Sequence, residues 1–185
     1  MPFAFKYVAS SGNTYLTGRE PIEEAIGLRT ELERIVVAVD GSEHSRESAE
    51  FAATMVEKYE IPEVILIHVV PTTAIYEGVD VWRVNVMSFL EEHGSKVLEE
   101  AKELMEAGGI EVEAVLTHGD PGSQIVKLAR KREADLIIMG SRGITGLASV
   151  FLGSVGERVA RNAPCSVLII RGDAFWAEEE AAGAE

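Results

Sequence analysis

Residues 34–42 read Arg-Ile-Val-Val-Ala-Val-Asp-Gly-Ser, and this stretch decides the fold class of the 185-residue chain. Residues 35–39 are continuously apolar and almost all β-branched, which is typical of a strand buried on both faces of a parallel sheet. The Asp-Gly pair that follows predicts a turn. Ser42 is a good N-cap for a helix predicted over residues 43–59. The stretch therefore indicates one strand–turn–helix unit of an α/β protein.

The same alternation of strands and helices continues along the chain. Further strands are predicted over residues 64–70, 112–117, 136–139 and 166–170, and further helices over about residues 82–107, 121–132 and 153–162. Five strands separated by four helices predict a single open parallel sheet with helices on both faces. In such sheets ligands bind beyond the carboxyl ends of the strands, where the strand order reverses.

A glycine-rich stretch follows the fourth predicted strand. Residues 139–143 read Met-Gly-Ser-Arg-Gly, and after nine further residues Gly153-Ser154 opens the last predicted helix. Glycines at a strand–helix junction let the backbone approach a ligand closely and turn its amides outward. A helix N-terminus adds unpaired amide donors and a partial positive charge. The sequence therefore predicts a seat for the phosphates of a nucleotide.

The spacing that begins at Gly140 (Gly, two residues, Gly, nine residues, Gly-Ser) resembles the ATP-binding signature of the universal stress protein family. Residues 34–42, 64–70 and 163–170 resemble that family's first, second and last strands, and they stand in the right order. The likeness covers about residues 34–171. It implies one Rossmann-like nucleotide-binding domain whose five parallel strands have the order 3-2-1-4-5.

The resemblance also implies which residues bind the nucleotide. The loop glycines would wrap the phosphates, together with the amides at the start of the last helix and the hydroxyl of Ser154. Arg142 would add a phosphate contact, although a solvated loop arginine fits equally well. Asp40 would lie near the ribose or the adenine, with a purely turn-forming role as the alternative. The implied binding set is Ala38, Asp40, Val69, Met139, Gly140, Arg142, Gly143, Gly153, Ser154 and Val155.

The expected ligand is ATP, and AMP or another adenine nucleotide is left open. Mg²⁺ or Mn²⁺ would be carried on the phosphates, because the sequence shows no metal-ligand spacing. Gly140→Val is expected to abolish binding with little loss of fold, since a side chain would fill the phosphate space. His44 is the only acid/base candidate near the crevice, and an exposed helix start explains it better. His68 is expected to pack inside its strand.

The sequence lacks the Walker A pattern, the dinucleotide fingerprint and the protein-kinase signatures. No catalytic residue is therefore assigned, and ATP hydrolysis is expected to be slow at most. The resulting hypothesis is an ATP-binding regulatory module that acts as a nucleotide-dependent homodimer in a stress response, with an unidentified regulatory protein partner. Two alternatives stay open: a nucleotide-independent interaction module of the same fold, and a weak ATPase.

The strand predicted over residues 166–170 bears on assembly. It would be an edge strand, and it contains no Lys, Pro or Gly that would discourage pairing with another chain. The family resemblance implies a homodimer through this strand. The alternative is that the N-terminal extension (residues 1–33) or the acidic C-terminal tail (residues 172–185) covers it. In the extension, alternating aromatic residues predict a hairpin, and Pro21 predicts the start of a short helix.

Composition excludes several classes of partner. The formal net charge of −14 argues against nucleic acid, which requires a basic face. It does not argue against ATP, because exposed charges beyond ~8–10 Å are largely screened. Cys165 is the single cysteine, which excludes an intramolecular disulfide and fits an inert thiol in a reducing cytoplasm. No apolar run approaches the ~20 residues of a membrane span, and no secretory signal is expected.

Overall fold

The computed structural model describes residues 4–8, 32–72, 80–141 and 152–171. The strands are β1 Ala4–Val8, β2 Arg34–Ala38, β3 Glu63–Pro71, β4 Val112–Gly119, β5 Leu136–Gly140 and β6 Ser166–Arg171. The helices are α1 Glu43–Tyr59, α2 Asp80–Glu106, α3 Pro121–Lys131 and α4 Ser154–Asn162. Each strand and helix predicted between residues 34 and 171 is present, with its ends within two residues of the prediction.

Strands β2 to β6 form one parallel sheet in the order β4-β3-β2-β5-β6. Counted from β2 as the first core strand, this is the order 3-2-1-4-5, so the predicted fold is confirmed. At its centre Val37 of β2 pairs with Leu66 of β3 on one side and with Ile138 of β5 on the other. The order reverses at β2, and a crevice opens between the carboxyl ends of β2 and β5.

Strand β1 adds a sixth strand to this sheet, as in the alternative that the N-terminal extension covers the edge of the strand at residues 166–170. It pairs antiparallel with β6, in a register that runs from Ala4 opposite Arg171 to Val8 opposite Val167. The edge expected to receive a second copy is thus occupied by the same chain. Alternating aromatic residues predicted a strand here, but they carry no information about its partner, and the hairpin stays a prediction. The second strand of that hairpin, the helix from Pro21 and the tail lie outside the described residues.

Helices cover both faces of the sheet because alternate strand residues point to opposite sides. Val37 is fully buried in a core layer with Met55, beneath α1 and α2. Its neighbour Val36 is fully buried in the opposite layer with Ile125, beneath α3 and α4. The continuous apolar run of β2 is therefore explained by burial on both faces.

Side-chain caps fix two helix starts near the crevice, as the sequence predicted. The hydroxyl of Ser42 accepts a 3.2 Å hydrogen bond from the amide of Ser45 at the start of α1. Asp120 accepts one of 2.9 Å from the amide of Ser123 at the start of α3, and the hydrogen bonds from Ser123 lower the pKa of this carboxyl. Arg158 of α4 lies 3.2 Å from the Asp120 carboxylate and so links α4 to α3. Among the described residues, no helix is long and apolar enough to cross a membrane.

Candidate nucleotide-binding site

A cavity of about 380 Å³ opens at the carboxyl ends of β2, β3 and β5, where the strand order reverses. It is closed by the first turns of α3 and α4 and by Leu90 and His93 of α2. Eight of the ten predicted binding residues line it: Ala38, Asp40, Val69, Met139, Gly140, Gly153, Ser154 and Val155. The other two, Arg142 and Gly143, lie outside the described residues. The sequence prediction therefore assembled residues that share one cavity.

The floor of the cavity is apolar. Ala38, Val69 and Met139 are each at most 8% exposed, and all three belong to the core layer beneath α3 and α4. Ala38 pairs in register with Met139 on one side and with Ile67 on the other. These side chains thus lie next to one another at the ends of adjacent strands. Such a floor suits a planar, largely apolar group of a ligand.

Asp40 stands at the rim of the cavity in a fixed position. Its Oδ1 accepts hydrogen bonds from the amide of Ser42 at 3.0 Å and from the Ser42 hydroxyl at 2.6 Å. Gly41 between them has φ +85°, a conformation that favours glycine. These bonds show the turn-forming role of Asp40. A contact with a ligand stays a prediction.

The amino end of α4 forms the opposite wall. Gly153 occupies the N-cap position, and among the described residues no side chain accepts a hydrogen bond from the first turn of this helix. The amides of Ser154, Val155 and Gly156 precede the first intrahelical donor, Glu157, whose amide bonds the Gly153 carbonyl at 2.9 Å. The helix dipole adds a partial positive charge at the same place. This wall is therefore suited to an anionic group.

Gly140 lines the cavity, but the space left by its missing side chain is filled by α1 and is not available to a ligand. A Cβ built on Gly140 would lie 2.8 Å from the carbonyl carbon and oxygen of His44 in α1. A side chain would thus displace the first turn of α1 instead of filling a phosphate space. The expectation that Gly140→Val spares the fold is wrong for this reason. Sequence spacing could not show that α1 crosses the end of β5 at this point.

Several lining residues were not anticipated from the sequence. Ser141 is 7% exposed; its amide donates to the Ile170 carbonyl at 2.8 Å, and its carbonyl accepts from the Gly153 amide at 3.3 Å. It therefore connects the end of β5 to both β6 and α4. Pro121 lines the cavity because it follows the carboxyl end of β4, a position that the rule for parallel sheets could have identified. Leu90 and His93 lie within a long helix, and the sequence gives no signal that they face the cavity.

The histidines of the described residues do not form a metal-binding group. His68 is 6% exposed, as expected for core packing, and its Nδ1 donates to the Val39 carbonyl at 2.9 Å. Burial lowers the pKa of His68, so its ring is neutral at physiological pH. His44 is not among the residues that line the cavity. Within the described ranges no three His, Cys, Asp or Glu side chains are arranged to hold a metal ion.

A larger groove of about 670 Å³ lies between α1 and α2 on the other side of β2. It contains none of the predicted binding residues, and its lining includes three carboxylates, Glu43, Glu100 and Glu103, against one cation, Arg46. A phosphate group would be repelled by that balance of charge. The smaller cavity is therefore the better candidate for a nucleotide.

Comparison with known proteins agrees with this architecture. The profile of the universal stress protein family matches residues 31–171. A universal stress protein of Methanocaldococcus jannaschii is 36% identical over 141 residues, which cover 75% of this chain and 81% of that protein. The solved structure of the universal stress protein UspA from Lactobacillus plantarum shares the fold with a TM-score of 0.71, at 21% identity, over 77% of this chain and 100% of that one.

A second solved structure was determined with a ligand. It is a universal stress protein in complex with cAMP, 27% identical to this chain, with a TM-score of 0.57 over 77% of this chain and 99% of that one. The described fold, the family profile and the level of identity lead to one conclusion: this chain belongs to the universal stress protein family.

Proposed function

We propose that this protein is a regulatory module that binds an adenine nucleotide, with ATP as the first candidate. One observation carries the proposal: a single cavity joins an apolar floor to the uncapped amino end of a helix. The floor fits a nucleobase, and the amides fit phosphate. These are the two chemically different ends of a nucleotide. The related structure solved with cAMP supports an adenine nucleotide over other phosphate-bearing ligands.

The described residues suggest a division of roles. The base would lie on Ala38, Val69 and Met139, and the phosphates would accept hydrogen bonds from the amides of Ser154 and Val155. Asp40 would accept a hydrogen bond from a ribose hydroxyl or from the adenine amine. Arg142 and Gly143 stay in the proposed set on the strength of the sequence signature alone.

Metal would reach this site with the nucleotide. Asp40 is the only carboxylate among the described lining residues, which is too few for a protein cage around Mg²⁺ or Mn²⁺. The phosphates would supply the remaining oxygen ligands. The same scarcity of acid/base groups is the reason that we propose at most slow ATP hydrolysis.

The regulatory role includes assembly. We propose a homodimer through the strand at residues 166–170, which acts on an unidentified protein partner in the cytoplasm. The amide of Ser141, which lines the cavity, bonds the carbonyl of Ile170 in that strand. A ligand that moves the end of β5 therefore acts directly on the strand proposed for assembly. This link supports a nucleotide-dependent homodimer over a nucleotide-independent module.

Titration calorimetry with ATP, AMP and adenosine tests the binding proposal. Ser154→Asp places a carboxylate at the proposed phosphate seat, and Ser154→Thr is the matched control because it keeps the hydroxyl. ATP affinity of Ser154→Asp is expected to fall at least about tenfold, since a contact between like charges costs about 1–4 kcal/mol. Adenosine affinity should be unchanged in both variants. Equal ATP affinity in the two variants would mean that the phosphates do not bind at the amino end of α4.

Two further measurements separate the alternatives. Native mass spectrometry of freshly purified protein should show co-purified adenine nucleotide, whereas a nucleotide-independent module would carry none. A single-turnover assay of ADP release should show slow hydrolysis or none. Sustained turnover faster than about 1 s⁻¹, the low end of common enzyme rates, would instead identify an ATPase.

A further inference from the structure

The outer edge of β6 is filled by the chain's own N-terminal strand. Five residue pairs join β1 to β6, with Lys6 opposite Ile169 at the centre of the ladder. Without β1, β6 would end the parallel sheet and present unpaired amides and carbonyls along one side. The pairing therefore satisfies the amides and carbonyls of β6 that could otherwise form hydrogen bonds with another extended strand.

Residues 166–170 of β6 contain nothing that discourages pairing with another chain. Residues 166–170 read Ser-Val-Leu-Ile-Ile, without the Lys, Pro or Gly by which edge strands avoid association. Residues 167–170 are at most 1% exposed, so the strand is anchored firmly in both core layers. In the described part of the chain, protection of this edge thus comes from β1.

The best-matched competitor for β1 is β6 of a second copy. An antiparallel pair between a strand and its own copy has two-fold symmetry, which is the commonest geometry of homodimers. A second β6 would therefore approach in the same antiparallel direction that β1 already takes. The family profile matches residues 31–171, so β1 lies outside the part of the chain that the family shares.

We propose that β1 is a displaceable cap that controls dimerisation: with β1 paired to β6 the protein is a monomer, and when β1 leaves, two copies pair through β6. This inference rests on the homodimer of the proposed function and names how its assembly is regulated. It does not depend on which nucleotide is bound.

Because β1 belongs to the same chain as β6, it has an advantage over a second copy in pairing with β6. β1 therefore competes for this edge at an effective concentration that does not fall when the protein is diluted. Pairing with a second copy, in contrast, becomes weaker as the protein is diluted. A local change that weakens only the five-residue ladder would therefore shift the balance to the dimer.

Sedimentation velocity of the full-length chain over a wide concentration range tests the cap. The variant Lys6→Pro with Tyr7→Pro removes two consecutive amides, and consecutive amides point to opposite sides of a strand, so one of them faces β6. The matched control, Lys6→Thr with Tyr7→Thr, loses the same side chains but keeps both amides in a residue that favours strands. Hydrogen exchange of residues 4–8 reports directly whether the strand is docked.

The wild type and the threonine variant are expected to sediment as monomers with protected amides in β1. The proline variant should lose that protection and dimerise, with an apparent affinity at least about a hundredfold higher, the lower end of the advantage of a tethered competitor. A wild-type dimer, a monomeric proline variant, or a threonine variant that dimerises as strongly as the proline variant would each overturn the proposal. All three results are obtained without nucleotide, so failure of ATP binding is a separate outcome.

Discussion

Gly140 at the end of β5 and His44 in the first turn of α1 are in direct backbone contact. A Cβ at position 140 would come within 2.8 Å of the His44 carbonyl group and within 3.0 Å of the His44 Cβ. Backbone on both sides leaves no flexible group that could give way. A glycine of the predicted nucleotide signature thus sets the distance between α1 and the sheet.

Gly140→Ala is therefore expected to destabilise the protein, by about 1–3 kcal/mol, the usual cost of forcing an extra carbon into a packed core. Gly153→Ser is the matched control, because among the described residues a Cβ there has only the Ser141 carbonyl as a neighbour, at 3.7 Å, and serine is a good N-cap. Urea unfolding measures both variants. Equal unfolding midpoints for Gly140→Ala and wild type would contradict the contact described above.

A conservative substitution can separate the turn-forming role of Asp40 from its proposed contact with the nucleotide. In Asp40→Asn the side-chain oxygen still accepts the hydrogen bonds from Ser42, so the free energy of unfolding should change little. ATP affinity is expected to fall about tenfold, since a hydrogen bond to a charged group contributes about 1.5 kcal/mol. Calorimetry gives the affinity and urea unfolding gives the stability. Unchanged ATP affinity would leave Asp40 with its turn-forming role alone.

The core of the fold could be predicted from the sequence because its signals are local. The continuous apolar run of residues 35–39 identifies a strand buried on both faces, and Ser42 and Asp120 mark helix starts by their own hydrogen bonds. The contact between Gly140 and His44 was missed because it joins two elements that are distant in sequence. A glycine pattern indicates that a loop backbone has conformational freedom. It does not show which neighbouring element requires a glycine at that position.

Pairing of β1 with β6 was expected only as the alternative to a homodimer, for a related reason. Alternation between aromatic and other residues indicates a strand, and a nearby turn favours a hairpin, but pairing between residues 4–8 and β6 spans almost the whole chain. Eight of the residues that the family resemblance implies share one cavity, because strands of a parallel sheet end at the same edge. His93 could not be predicted, since a helix residue joins that edge only through the packing of α2.

Cys165 is expected to be unreactive in the folded protein. Burial raises the pKa of its thiol to about 11, so at pH 8 about one molecule in a thousand carries the reactive thiolate. Reaction with Ellman's reagent should therefore be much slower in buffer than in denaturing urea, where the pKa returns to about 8.5. A reaction equally fast under both conditions would show that Cys165 is accessible and ionised in the native state.

Acid should destabilise the protein through His68. Burial is the main cause that lowers the pKa of His68 below its ordinary value of 6.5; His93 acts in the same direction, and the carboxylate of Asp40 and the bond to Val39 oppose it. Because the unfolded chain then binds the proton more readily than the folded one, stability is fully present above pH 6.5 and is lost as the pH falls below it.

In His68→Asn the side-chain amide can still donate to the Val39 carbonyl but does not titrate. Urea unfolding between neutral pH and the onset of carboxyl titration should therefore show a steeper loss of stability in wild type than in His68→Asn. Parallel pH profiles would mean that the pKa of His68 is the same in the folded and unfolded states, and would contradict the effect of its burial beneath α2.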